Sequence, residues 1–244
     1  MTLQEHFFEL RRRIFFSLFF FFVAFVLSYF FSEKIYEFLL QPFAEISDSS
    51  QNRRLIYTSP AEAFITYFKL SFFSALFFSA PIFCAEIYLF LSPALYKNEK
   101  KNILTVFFSS VFLFLFGAIF AYYFVLPSAL GFFASYETQG FVATTNFSIH
   151  LETRISEYLN FVTNFLFAFG IAFQLPILLL FLIKLGCLSV DDLKQKRRYW
   201  IVIIFIVAAV LTPPDVLSQI SLAIPMIFLF EVAVLIGKNF NNKK

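Results

Sequence analysis

The chain has 244 residues, of which 60% are hydrophobic and 22% aromatic, against 14% charged residues and a formal net charge of +3. With a mean hydropathy of +0.78, too little polar surface is available to solvate a globule of this length, so a soluble domain is excluded and a membrane protein is indicated. The modest net charge conceals a polarised distribution of acids and bases rather than a nucleic-acid patch.

A hydrocarbon core about 30 Å thick is crossed by about twenty apolar residues in a helix. In chain order, Ile14 to Phe31, Phe64 to Leu91, Ile103 to Leu126 and Tyr158 to Leu185 meet that length. Two shorter runs follow, Tyr199 to Leu211 and Val216 to Ile236, flanking the breaker TPPD. The first of these reaches only about 20 Å at about 1.5 Å per residue. The prediction is an all-α integral membrane protein, one domain over residues 1–244, with six transmembrane helices near 14–31, 60–91, 103–126, 158–185, 198–211 and 216–236, the fifth undersized. Ile14 to Phe31 is followed directly by Phe and polar residues, without a small-residue cleavage site, and is expected to stay in the mature chain.

Lys and Arg orient the chain, because cytoplasmic loops carry an excess of both. Arg11, Arg12 and Arg13, then Lys97, Lys100 and Lys101, then Lys194, Lys196, Arg197 and Arg198, then Lys238, Lys243 and Lys244 fall in alternate connections. The opposite side holds Lys34, Arg53, Arg54 and Arg154 among the acids Glu33, Glu37, Glu45, Asp48, Glu137, Glu152 and Glu157. Both termini are therefore expected in the cytoplasm. No internal repeat divides the chain, and its 42 Phe read as lipid-facing filler.

Enzyme chemistry finds little support. His6 and His150 are far apart, Cys84 and Cys187 belong to different segments, and six scattered glycines form no phosphate-cradling pattern. Glu86 and Gln174 are the strongly polar groups inside apolar runs, too few for intramembrane catalysis. The expectation is no enzyme, no metal and no cofactor.

The helix ends say more. In TSPAEAF, Ser59 suits an N-cap, Pro60 the first helical position and Glu62 the far side of a capping box, with Lys69 two turns on snorkelling outward toward Glu62. Ser189 with Asp192 gives a similar start to the fifth helix. In TPPD, Pro213 and Pro214 stop that helix and Asp215 can cap the sixth.

Two lone carboxylates sit among bases, Glu9 in HFFELRRR and Glu99 in YKNEKK. Either they pair locally, Glu9 with Arg12 or Arg13 and Glu99 with adjacent lysines, or they receive two guanidinium groups from a ligand, since carboxylate and Arg dock as a bidentate fork. Spacing alone leaves both readings open.

Taken in order, HFFELRRR, SPAEAF followed by Lys69, SAPI, LSPALYKNEKK, FGAIFAYYFVLP, FGIAFQLPI, the RRY at 197–199, LTPPDVLSQ and LAIPM resemble the TatC family, the core subunit of the twin-arginine protein translocase. The resemblance runs from about residue 6 to 237. It implies a six-helix, glove-shaped receptor in the bacterial cytoplasmic (inner) membrane, or in an inner or thylakoid membrane of a bacterium-derived organelle. Such a receptor binds twin-arginine signal peptides and joins TatB-like and TatA-like single-span subunits in a homo-oligomeric complex within membrane lipid. Folded cargo then crosses on the proton-motive force. By the same resemblance, Glu9 and Glu99 contact the signal's arginines, with Leu10 and Arg11 on the same surface, while Pro42, Pro81, Phe90, Tyr122 and Asp215 match other positions of importance.

Two departures stand out. The family usually has FELP where this chain has FQLP, placing Gln174 at the expected intramembrane carboxylate, and the position often Gln in relatives is Glu86 here. The reading is an exchanged polar pair, with Gln174 as a hydrogen-bond partner for Glu86. Snorkelling of Glu86 to water is the alternative. Pro176 adds a local reason for polarity, because it cannot donate to the carbonyl of Ala172 and leaves it for an amide or water. A secondary transporter of a small solute is the other functional class considered, since broken helices and buried polar groups also serve it. The absence of an inverted repeat and the few deep polar residues weigh against it.

Overall fold

A computed structural model describes residues 3–46, 55–91, 100–136, 138–139, 148–149, 152–184, 186–212 and 215–241. In order they form α1 (Leu3–Phe30), α2 (Ser32–Ile46), β1 (Leu55–Ile56), α3 (Glu62–Leu91), α4 (Lys100–Phe120), a π-helical turn (Ala121–Val125), α5 (Leu126–Ala134), β2 (Thr138–Gln139), β3 (Ser148–Ile149), β4 (Thr153–Arg154), α6 (Ile155–Ala172), α7 (Leu175–Lys184), α8 (Val190–Gln195), α9 (Arg197–Leu211) and α10 (Val216–Asn241).

Among the described residues, five stretches are long and apolar enough to cross a membrane: Arg11–Phe30, Glu62–Phe83, Phe108–Ala134, Ile155–Lys184 and Val216–Lys238. The fifth expected span, α9, has 15 residues and is about 22 Å long at about 1.5 Å per residue, short of a bilayer core. Two expected helices need correction. The third continues beyond Leu126 to Ala134 through a wide turn, in which the Leu126 N–H reaches the Ala121 carbonyl five residues back. Pro127, which cannot donate, follows at once. The fourth is not one helix: α6 ends at Ala172 and α7 starts at Leu175. The Gln174 N–H turns back to Ile171, three residues earlier, and Pro176 supplies no N–H to mend the ladder.

The chain groups into two compact units, Met1–Phe20 with Ser79–Ile119 and Phe167–Lys244, and Phe21–Phe78 with Phe120–Leu166. In the first unit, α10 packs on α7, α8 and α9, with Leu222, Met226, Phe230, Ala233 and Val234 buried on it. Glycines set how close these helices come. A Cβ at Gly237 would lie 2.9 Å from Ile183, one at Gly170 would lie 2.6 Å from the Phe114 ring, and one at Gly117 would meet Phe173 at 2.7 Å and the Phe169 carbonyl at 2.8 Å. The α4 face is thus a sequence of knobs and notches, with Phe114 set into Gly170 and Phe173 set against Gly117.

In the second unit α2 packs on α5. Ile35, Tyr36, Leu39, Leu40 and Phe43 recur at helical spacing and form its inner face, while Glu33, Lys34, Glu37, Gln41 and Glu45 are exposed. This helix was not expected from the sequence. Edge-to-face pairs of Phe21 with Phe72 and Phe25 with Phe68 join α1 to α3. Short ladders complete the unit, β1 parallel to β4 and β2 antiparallel to β3.

The phenylalanines divide by role, which corrects the reading of them as filler. Phe15, Phe16, Phe19, Phe22 and Phe30 on α1 are exposed, as lipid contact requires, but Phe43, Phe114, Phe165, Phe169, Phe173 and Phe230 are core residues.

Candidate functional site

The first unit carries a charged cluster built from α1 and α3. Arg13 and Glu9 are one helical turn apart, and Nη2 and Nε of Arg13 donate to Oε1 of Glu9 at 2.7 and 3.2 Å. On its other edge, Nη1 of Arg13 donates to Oε2 of Glu86 at 2.6 Å. One guanidinium therefore bridges two carboxylates, each side chain a fifth to a quarter exposed. The grip on Glu9 is lopsided. Both donors converge on a single oxygen, and the second oxygen, Oε2, is occluded from solvent without a hydrogen-bond partner among the described residues. Of the alternatives for Glu9, local pairing with Arg13 is realised, but only half of its carboxylate is used.

The expected partnership of Glu86 with Gln174 is not formed. Glu86 faces Arg13, while Gln174 is held by Ser110 on α4: the Ser110 hydroxyl donates to Oε1 at 2.7 Å, and Nε2 donates to the Ser110 carbonyl at 2.9 Å. Carboxylate and amide are satisfied separately, the one by an arginine on α1 and the other by a serine on α4. Nor does the Gln174 amide serve the Ala172 carbonyl beside Pro176; it crosses to α4.

The second unit answers a different proline. Pro42 is buried inside α2 and cannot donate to the Phe38 carbonyl. Tyr122, on the π-helical turn, donates its hydroxyl to that oxygen at 2.5 Å and stacks on the Phe38 ring, centroids 4.5 Å apart. Tyr158 on α6 donates to the next carbonyl, Leu39, at 2.8 Å. Pro42 and Tyr122 are a matched pair, and Tyr158, missed in the sequence, completes it.

Glu62 opens α3 but does not pair with Lys69. Its Oε2 accepts from the N–H and hydroxyl of Thr58 at 2.7 and 3.0 Å, and its Oε1 accepts from Ser156 on α6 at 2.6 Å. The capping residue is thus Thr58 as much as Ser59, and the carboxylate is taken up by Thr58 and by Ser156 of α6 rather than by a lysine two turns away. Lys69 is exposed, beside a small cleft shared with Thr66, Ser156 and Asn160. Asp215 caps α10, its Oδ2 accepting from the Ser218 N–H at 2.7 Å. Ser189 accepts from the Asp192 N–H at 3.0 Å, but the helix it starts is the short α8 rather than α9. Pro81 is buried within α3, Pro176 near the start of α7, and Arg11 is exposed with its guanidinium over the Phe15 ring at 5.6 Å. Glu99 lies outside the described residues, as do Pro213, Pro214 and the side chains of Leu10 and Phe90. Among the described residues, no three His, Cys, Asp or Glu side chains gather into a metal-binding group.

The order of these elements and the motifs on them agree with one family: residues 5–225 match the profile of the Sec-independent protein translocase protein (TatC). The chain belongs to the TatC family. It is 47% identical over 235 residues to the Sec-independent protein translocase protein TatC of Rickettsia prowazekii (strain Madrid E), covering 96% of this chain and 92% of that one. With the TatC of Escherichia coli (strain K12) it shares 37% identity over 241 residues, 99% of this chain and 90% of that one. The crystal structure of the twin arginine translocase receptor TatC in DDM is similar at a TM-score of 0.77 and 34% identity, covering 95% of this chain and 99% of that one. Membership of the TatC family and five long apolar helices make this a multi-pass membrane protein of protein translocation. The family is named for transport rather than catalysis, and none of these relatives supports a carrier of small solutes.

Proposed function

We propose that this TatC chain is the receptor that binds twin-arginine signal peptides at the cytoplasmic face of a bacterial inner membrane and initiates export of folded proteins. In this reading both termini are cytoplasmic, and α9 serves as the short fifth span of a six-helix, glove-shaped bundle. Glu9 and Glu99 take the two signal arginines, with Leu10 and Arg11 on the same surface. TatB-like and TatA-like subunits join several copies of the chain, and the proton-motive force drives transfer. The observation that carries the proposal is the half-used carboxylate of Glu9: an acceptor oxygen removed from water without a partner gains most from a guanidinium that reaches it. The basic residues of the same connections support the orientation.

The test is export of a folded twin-arginine reporter in cells lacking their own TatC. The chain should restore export, and Glu9→Gln combined with Glu99→Gln should abolish it while the protein still accumulates in the membrane. Restoration by the double variant would overturn the assignment. Cysteine labelling of intact cells tests the orientation separately, since a membrane-impermeant reagent should fail to reach position 99.

A further inference from the structure

The geometry points to Arg13 as a resident guanidinium that occupies Glu9 in place of a signal arginine, and to Glu86 as the carboxylate that holds Arg13 when it is displaced. The inference rests on the receptor reading above and adds an exchange step to it. Its basis is the division of labour among the nitrogens of Arg13. Nη1 is committed to Oε2 of Glu86 at 2.6 Å, whereas Nη2 and Nε share one oxygen of Glu9 at 2.7 and 3.2 Å. Two donors on one oxygen are not the parallel fork in which each nitrogen has its own acceptor. Oε2 is closed to solvent while Arg13 is in place; when Arg13 moves off Glu9, a second guanidinium can place one donor on Oε1 and one on Oε2, so it makes the fork that Arg13 does not. Arg13 then keeps its bond to Glu86 and is not left as an unpaired cation, which lowers the barrier to leaving Glu9.

A lysine has no fork to offer and cannot use both oxygens in one plane, so the exchange discriminates arginine from lysine. Glu86 is thereby a positioning residue: it acts on the signal through Arg13. This also gives Glu86 a purpose that Gln174 does not supply, since Gln174 is committed to Ser110.

The test uses the full chain in lipid nanodiscs, titrated with a synthetic twin-arginine signal peptide and its twin-lysine counterpart. Arg13→Gln removes the resident competitor and should tighten binding of the arginine peptide by about fivefold, the scale of one displaced, partly exposed charge-assisted contact. Glu86→Gln leaves Arg13 with Glu9 alone and should weaken binding. The two changes together should bind as tightly as Arg13→Gln alone, because Glu86 acts only through Arg13; a weaker-binding double variant would give Glu86 a role of its own and overturn that part of the inference. Arg12→Gln removes the same charge from an exposed neighbour and should have a much smaller effect. Arg13→Lys, which keeps the charge but cannot hold Glu9 and Glu86 at once through separate nitrogens of one guanidinium, should also tighten binding and serves if Arg13→Gln does not fold. Equal or weaker binding by folded Arg13→Gln and Arg13→Lys would overturn the inference, as would an Arg12→Gln gain that matches Arg13→Gln. Unchanged binding by Glu9→Gln counts instead against the receptor reading, because that carboxylate is needed with or without Arg13.

Discussion

Pro42 and Pro176 pose the same problem in the two units: a helical carbonyl, of Phe38 in one and Ala172 in the other, loses the N–H that would have served it. Around Pro42 the helix runs on, because Tyr122 and Tyr158 bring hydroxyls to Phe38 and Leu39. Around Pro176 the helix stops and restarts, and Gln174 at the break ties itself to α4 through Ser110. A polar residue in an apolar helix can thus belong to the backbone's own hydrogen-bond needs before it belongs to any ligand. Tyr122 and Tyr158 fall in that class, and Gln174 is likewise committed inside the protein, to Ser110 of α4. The Arg13, Glu9 and Glu86 cluster does not, for none of its described bonds goes to a main-chain group, and this separates it as the candidate for recognition.

The strongest way to strain the scheme is to fill a notch. Gly117→Leu would drive a Cβ to 2.8 Å from the Phe169 carbonyl, a backbone atom that cannot swing aside. A loss of about 1–3 kcal/mol or more is expected from overpacking. Gly131→Ala on α5 meets nothing within 4 Å and should leave thermal stability and membrane accumulation unchanged or slightly improved. Normal accumulation of Gly117→Leu would show that α4 and α6 are not in this contact.

The Pro42 half of the comparison breaks next. Tyr122→Phe strands the Phe38 carbonyl and should cost about 1–3 kcal/mol. Pro42→Ala restores the N–H that the carbonyl lacked, so the double variant should lose less than Tyr122→Phe alone. Additive losses in a double-mutant cycle would mean that Tyr122 and Pro42 are not coupled.

At Pro176 the effect is smaller, because hydrogen bonds between membrane helices average about 0.6 kcal/mol and reach about 1.7. Gln174→Leu should fall in that range, and Ser110→Ala should add little once Gln174 is gone, read by thermal unfolding in detergent. Smallest of all is the exposed pair of Arg197 and Glu231, at 2.8 Å. Its removal by Glu231→Gln should change stability by about 0.2–1 kcal/mol and less in high salt.

How far the sequence carried depended on which interactions were local. The apolar runs of α1, α3, α4, α6 and α10 were readable because burial in lipid is a property of each segment alone, and the undersized α9 followed from its length. The cap at Asp215 was readable because its partner, Ser218, is three residues away. The amphipathic α2 was missed, since half its residues are polar and it follows a span that looked complete at Phe31. A helical recurrence of Ile35, Tyr36, Leu39, Leu40 and Phe43 was the available signal. Partners distant in sequence were not legible. Glu86 lies 73 residues from Arg13, and Gln174 lies 64 from Ser110. Two polar groups that family comparison made look like one exchanged pair were each answered by a different helix.

The central claim, that Glu9 belongs to the surface that receives a twin-arginine signal, is met most directly by cross-linking. Phe8 is 73% exposed and immediately precedes Glu9. A photo-reactive residue in its place should capture a precursor carrying a twin-arginine signal. Capture should be lost when the signal's arginines become lysines and when Glu9→Gln and Glu99→Gln are combined in a chain that still accumulates in the membrane. Capture of the twin-arginine precursor at full strength by that double variant would contradict the account.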